Sequence, residues 1–161
     1  MTIERTLAII KPDAWPQHGG SIIAMATDAG LVPVEMEVRP VAAFIPGKRR
    51  VDGYRGVRSW ENFYAEHEGR AFFSSLVYFM ASGPILAMVL AGDDAIARWR
   101  ALMGPTDSRK ATPGTVRSFY GAPFGAAENG FLGGEYPMWR NAVHGSDSPE
   151  AAAREIDFFG F

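Results

Sequence analysis

Apolar positions along the chain change period several times, and each change marks an element. TLAIIK (6–11) is an almost unbroken apolar run stopped by Pro12, which predicts a strand buried on both faces. Beyond Gly19-Gly20-Ser21, the residues Ile22, Ala26 and Ala29 share a helical face up to Gly30, a glycine placed to close a helix. VEMEV (34–38) alternates apolar and acidic side chains, the period of a strand with one wet face. WENFYAEH (60–67) and AFFSSLVYFM (71–80) read as helices, with Phe72, Phe73, Leu76, Val77 and Met80 on one stripe of the second. ILAMVL (85–90) has the length of a buried strand. Asp93 caps a helix that runs to Met103 and stops at Gly104. AVH (142–144) is a brief strand, and Ser148-Pro149 opens a last helix reaching about Phe158.

The resulting order, β-α-β-α-α-β-α-loop-β-α, suits an α+β domain in which helices cover one sheet. Two stretches lose periodicity and read as long loops. Residues 45–59 carry five basic side chains against one Asp, and residues 119–140 carry five glycines and six aromatics. The 22 residues Ala71–Gly92 lack any charge, long enough for a membrane span. Ser82-Gly83-Pro84 divides them, so helix, turn and strand is the expected reading, with no membrane partner.

Composition narrows the class. A chain of 161 residues, 47% apolar and 21% charged, is one ordinary globular domain. A net charge of −2 gives no general attraction to nucleic acid or membranes, and the absence of cysteine excludes disulfides and thiolate metal sites. MTIERTLAIIKPD has charges on both sides of its short apolar run, unlike a signal peptide. The expected compartment is the cytoplasm.

Several polar residues stand where neither a plain core nor a plain surface calls for them. Lys11 emerges at the C-terminal end of the first strand, a usual place for a ligand contact. Arg100 follows Ile96 by four residues, which sets it on the apolar face beside Trp99 and Met103, where an inward guanidinium needs an anion or must snorkel. Thr106 and Arg117 lie in a Gly/Pro-shaped loop and can supply a hydroxyl and a second fork to phosphate oxygens. Within NAVHGSDS (141–148), His144 could be a buried structural group, a metal ligand, a general base or a nucleophile. Glu155 follows it by eleven residues. If the chain turns at Gly145-Ser146, the last helix brings that carboxylate to the imidazole. A carboxylate on one ring nitrogen fixes the tautomer and leaves the other nitrogen's lone pair available. His18 and His67 lack ligand spacing to His144, which weakens the metal reading.

Four segments in order, ERTLAIIKPDA (4–14), FYAEHEGRAFFSSLVYFMASGP (63–84), MGPTD…PGTVR (103–117) and NAVHGSDS (141–148), resemble the motifs of the nucleoside diphosphate kinase family. The resemblance implies one kinase domain over residues 1–161, with insertions at about 45–59 and 119–140. It implies a ferredoxin-like α+β fold, a four-stranded antiparallel sheet covered by helices. It implies ping-pong transfer of the γ-phosphoryl group from a nucleoside triphosphate to a nucleoside diphosphate, with His144 as nucleophile through Nδ1. Glu155 then holds the other ring nitrogen and Ser146 supports that carboxylate. Arg100, Thr106 and Arg117 match phosphate-binding positions; Lys11 and Asn141 match those reaching the sugar, Lys11 also lying near the transferred group with Tyr64 beside it. Phe72 would stack on the base, with Leu76 lining the same slot. Mg2+ would arrive on the phosphates and need few protein ligands. The family forms hexamers or tetramers from a common dimer, and a hexamer is expected here. Two rival classes remain: a kinase-like binding or regulatory module, and a single-stranded nucleic-acid binder using the 45–59 cations with Tyr54 and Trp60. Neither is favoured, and nucleic acid is not an expected partner.

Overall fold

The computed structural model describes residues 3–40, 60–121 and 138–161. The 45–59 insertion, with Tyr54, therefore lies outside the described residues, and only the ends of 119–140 fall within them.

Four strands carry the fold: β1 (Glu4–Ile10), β2 (Val32–Arg39), β3 (Ile85–Gly92) and β4 (Val143–Gly145). They form one sheet in the order β2-β3-β1-β4 with every neighbouring pair antiparallel. This is the ferredoxin-like α+β arrangement. The helices are α1 (Gly19–Asp28), α2 (Trp60–Phe63), α3 (Phe73–Met80), α4 (Ala95–Met103), α5 (Val116–Tyr120) and α6 (Pro149–Phe159). Alternate residues of the central strands enter two different cores. Ala8, Ile10, Leu86, Met88 and Leu90 pack with Ile22 and Ala26 of α1 and Trp99 of α4. Leu7, Ile9, Ile85 and Ala87 face Phe63, Leu76, Phe79 and Met80, with Ile156 and Phe159 of α6 packed alongside. Both faces of β1 and β3 are covered, which is why their sequences read as unbroken apolar runs.

Four details depart from the sequence reading. The 60–67 stretch is a short α-helix followed by a 3₁₀ turn at Ala65–His67. The loop after Met103 contains a second 3₁₀ turn, Ser108–Lys110, and the unanticipated α5, whose cap is the Thr115 side chain accepting from Ser118 N–H. The cap of α4 is neither Asp93 nor a local side chain. Asp94 is left-handed with φ of 50° and makes no side-chain cap, and the free Ile96 N–H donates instead to the Glu4 carboxylate at 2.9 Å. A donor orphaned at a helix start can be satisfied from any direction, here from β1. Lastly, β2 alternates as expected, but its apolar Val34, Met36 and Val38 are about half exposed, so the wet face is not purely acidic.

The last helix starts as its sequence predicts, with Ser148 Oγ accepting from Ala151 N–H at 3.1 Å and Pro149 in the first turn. Among the described residues no helix is long and apolar enough to cross a membrane.

Candidate active site

The edge strand β4 is only three residues long, and β1 holds it in place. Ile9 is paired with His144 and Ala8 with Gly145, so the histidine leaves the sheet beside the end of β1, where Lys11 emerges. On the other side, Gly145 lies flat against Trp99. A Cβ there would sit 2.3 Å from the indole Cδ1, and the indole N–H donates to the His144 carbonyl at 3.1 Å. Glycine is required at this position by close approach.

Glu155 comes back to the strand on α6. Its Oε2 lies 3.1 Å from His144 Nε2 and accepts the Ser146 hydroxyl at 2.7 Å. Ser146 in turn accepts Leu7 N–H at 3.3 Å, which ties the carboxylate to the central strand. Burial pushes the Glu155 carboxyl up, but the hydrogen bond and charge of His144, with Ser146 and Arg154, outweigh it and hold the pKa below the usual value. A carboxylate accepting at Nε2 puts the proton on that nitrogen and leaves the lone pair on Nδ1. The imidazole stays 20% exposed. Phe63 and Tyr64 meet it edge-on at 5.3 and 6.0 Å.

His144 lines a cleft of about 450 Å³ together with Glu155, Lys11, Tyr64, Phe72, Leu76, Arg100, Thr106, Arg117 and Asn141. Every site residue expected from sequence borders this cleft except Ser146, which acts behind Glu155. Their environments differ. Lys11 is 5% exposed, and its Nζ donates to Asn141 Oδ1 at 2.7 Å and to the Trp139 carbonyl at 3.1 Å. Burial and the charge of Arg117, opposed by Asp13, lower its pKa to about 7. Arg117 is also buried, donating to the Gly104, Asn141 and Val143 carbonyls, and burial with the Arg100 charge lowers it to about 10. Asn141 completes the frame by donating to the Thr106 carbonyl at 2.9 Å. Arg100 does not point into the core as its spacing suggested. It is exposed on α4 and faces the cleft from the rim, because Trp99 occupies the inward position. The Tyr64 hydroxyl is buried with no hydrogen-bond partner among the described residues; burial, then the Glu155 charge, pushes its pKa up.

The sequence reading missed Phe63, His67, Met138 and Trp139. His67 stacks on Tyr64 at 6.0 Å and leans on Phe72 at 5.6 Å, continuing an aromatic wall from His144 to the far end of the cleft. Only the helical adjacency of Phe63 and Tyr64 hinted at it. Trp60 packs on Phe63, Tyr64 and Phe159 rather than standing open as a base platform. The arrangement can present a ring nitrogen to an electrophile while buried and rim cations hold anionic oxygens around it.

The profile of the family described as nucleoside diphosphate kinase matches residues 56–160. Over 160 residues the chain is 41% identical to a nucleoside diphosphate kinase of Sorangium cellulosum and 44% identical to nucleoside diphosphate kinase 2 of Protochlamydia amoebophila, covering 99% of this chain and 92% of each relative. Among solved structures, a halophilic nucleoside diphosphate kinase from Halobacterium salinarum in complex with CDP superposes with a TM-score of 0.76 at 33% identity, over 98% of this chain and 88% of that one. The Aquifex aeolicus nucleoside diphosphate kinase gives 0.75 at 34% identity, over 99% and 96%.

Proposed function

The chain belongs to the nucleoside diphosphate kinase family, an enzyme class that exchanges phosphate between nucleoside tri- and diphosphates, and from that premise we propose that it works in two half-reactions through a phosphohistidine on His144. The observation that carries this is the Glu155–His144 Nε2 contact in a cleft lined by Lys11, Arg100, Thr106 and Arg117. In the first half-reaction the Nδ1 lone pair forms a bond to the γ-phosphorus as the bond to the β,γ-bridging oxygen breaks, and the nucleoside diphosphate leaves with those electrons. The ring keeps its Nε2 proton and becomes cationic, and the Glu155 carboxylate offsets that charge. In the second, a β-phosphate oxygen of another diphosphate takes the phosphoryl group and the imidazole returns neutral. Lys11, Arg100, Thr106 and Arg117 hold equatorial and flanking oxygens, Tyr64 lies beside the reacting ring, and Asn141 with Lys11 reaches the sugar. Phe72 and Leu76 hold the base by stacking and apolar contact, which reads no base edge and suits many nucleotides.

Mg2+, arriving with the nucleotide, would neutralise phosphate charge. The lining fits that role: Glu155 is committed to His144 and Ser146 and Glu66 is paired with Arg154, leaving exposed Asp147 as the cleft carboxylate that would hold a hydrated ion. One kinase domain spans 1–161, and a cytoplasmic location suits nucleotide substrates. We also propose a homo-oligomer, a hexamer in preference to a tetramer, with β2 as a first contact; its exposed apolar residues on an edge strand support that reading.

Steady-state exchange between ATP and GDP tests the mechanism. Parallel double-reciprocal lines are expected, with activity lost in His144→Ala. Intersecting lines would mean a ternary complex and direct transfer.

A further inference from the structure

Ala142 stands two residues before His144, is fully buried, and has φ of 68°, a region that a Cβ disfavours. Val143 N–H donates to the Asn141 carbonyl at 2.8 Å, so Ala142 is the centre of a γ-turn of the rare, strained hand. Such a conformation persists only where its surroundings over-determine it. Three contacts do so here. The Ala142 carbonyl accepts Lys11 N–H at 2.8 Å, and Arg117 reaches the carbonyls on either side, of Asn141 and Val143. The third is Asp13, whose Oδ2 accepts Ala142 N–H at 3.1 Å.

Asp13 differs from the other two. It does not line the cleft, its Oδ1 is buried without a hydrogen-bond partner among the described residues, and burial raises its pKa. Apart from its own N–H, a carboxylate placed at such cost meets the backbone at the strained residue. That turn fixes two things at once: the direction of the Asn141 amide toward Lys11 and Thr106, and the register in which Val143 and His144 pair with Ile10 and Ile9.

We propose that Asp13 is a positioning residue for phosphoryl transfer, holding the left-handed turn at Ala142 so that Lys11, anchored by Asn141, and His144 face the same phosphoryl group. This rests on the reading of His144 as the nucleophile. A carboxyl or amide oxygen suffices for the role, whereas its negative charge does not enter it.

The test uses four forms of the full chain: unmodified, D13N, D13A and D13A/A142G. Expected is a loss of turnover on the order of tenfold to a hundredfold in D13A, the scale of a small misplacement in an active site. D13N, which keeps an acceptor oxygen, stays within severalfold of the unmodified protein. D13A/A142G recovers most of the D13A loss, because glycine takes up positive φ unaided. The Ala142 amide exchanges with deuterium faster in D13A than in D13N. Should D13A not fold, the comparison of D13N and D13A/A142G with the unmodified protein carries the same decision. A double variant no better than D13A, or D13N as slow as D13A, overturns the proposal. Phosphoenzyme is measured on the same samples. Its absence from the unmodified protein removes the phosphohistidine reading, while failed recovery with phosphoenzyme intact removes the role of Asp13 alone.

Discussion

With its pKa lowered to about 7, the buried Lys11 is largely deprotonated at pH 8 before nucleotide binds, while nucleotide phosphates favour the charged form. Binding at pH 8 should therefore draw a proton from solvent. Calorimetry of ADP binding in buffers of different ionisation enthalpy is expected to show uptake approaching one proton, and Lys11→Met should abolish it. No uptake at pH 8 would mean that Lys11 is already charged in the free protein. The stability consequence has a definite sign. The folded pKa lies below the unfolded value of roughly 10.4, so between the two the unfolded chain binds more protons. Stability from this group rises as pH climbs from about 7 toward 10. Glu155 has the same sign in a lower pH range, its contribution being lost as pH falls through its depressed folded value. At this scale the sequence showed which residue types were out of place, Lys11, Arg117 and His144 among them, because each follows an apolar run or sits in a shaped loop. It did not show that Arg100 lies on the rim or that Asp13 braces the turn at Ala142, since both follow from packing between distant segments.

Elements were legible where periodicity and terminal chemistry agree. β1 and β3 announced themselves as apolar runs because helices cover both faces, and α6 because Ser148 and Pro149 mark its start. The cap of α4 was not legible, since its acceptor is 92 residues away on Glu4, and α5 hid in a stretch dominated by glycine and proline. β4 is the shortest strand and depends most on its neighbours, above all on the fit of Gly145 against Trp99. Gly145→Ala would set a methyl 2.3 Å from the indole Cδ1 and 2.5 Å from Nε1. The indole is fully buried and has nowhere to go. Urea unfolding should register a loss of about 1–3 kcal/mol, the usual cost of overpacking, with reduced exchange activity as the Trp99–His144 bond shifts. A change within roughly 0.5 kcal/mol, the range of an ordinary surface substitution, would show that β4 is not held by this contact.

At the scale of the whole molecule, the alternation in 34–38 marks a strand, yet no pattern within five residues could tell which face meets solvent. In the single chain Val32, Val34, Met36 and Val38 are 57, 50, 54 and 48% exposed, a stripe that an edge strand ordinarily avoids. We propose that self-association through this strand covers them. Met36→Glu should lower the mass seen by light scattering, and an unmodified protein that runs as a single chain at micromolar concentration would remove the explanation. The most direct test concerns His144. The protein is mixed with γ-labelled ATP and Mg2+ without acceptor, and the phosphate is located by acid lability and peptide mapping, then chased with GDP. One acid-labile phosphate is expected on Nδ1 of His144, passing quantitatively to GTP and absent from His144→Ala. Exchange between ATP and GDP at an undiminished rate in His144→Ala would contradict it.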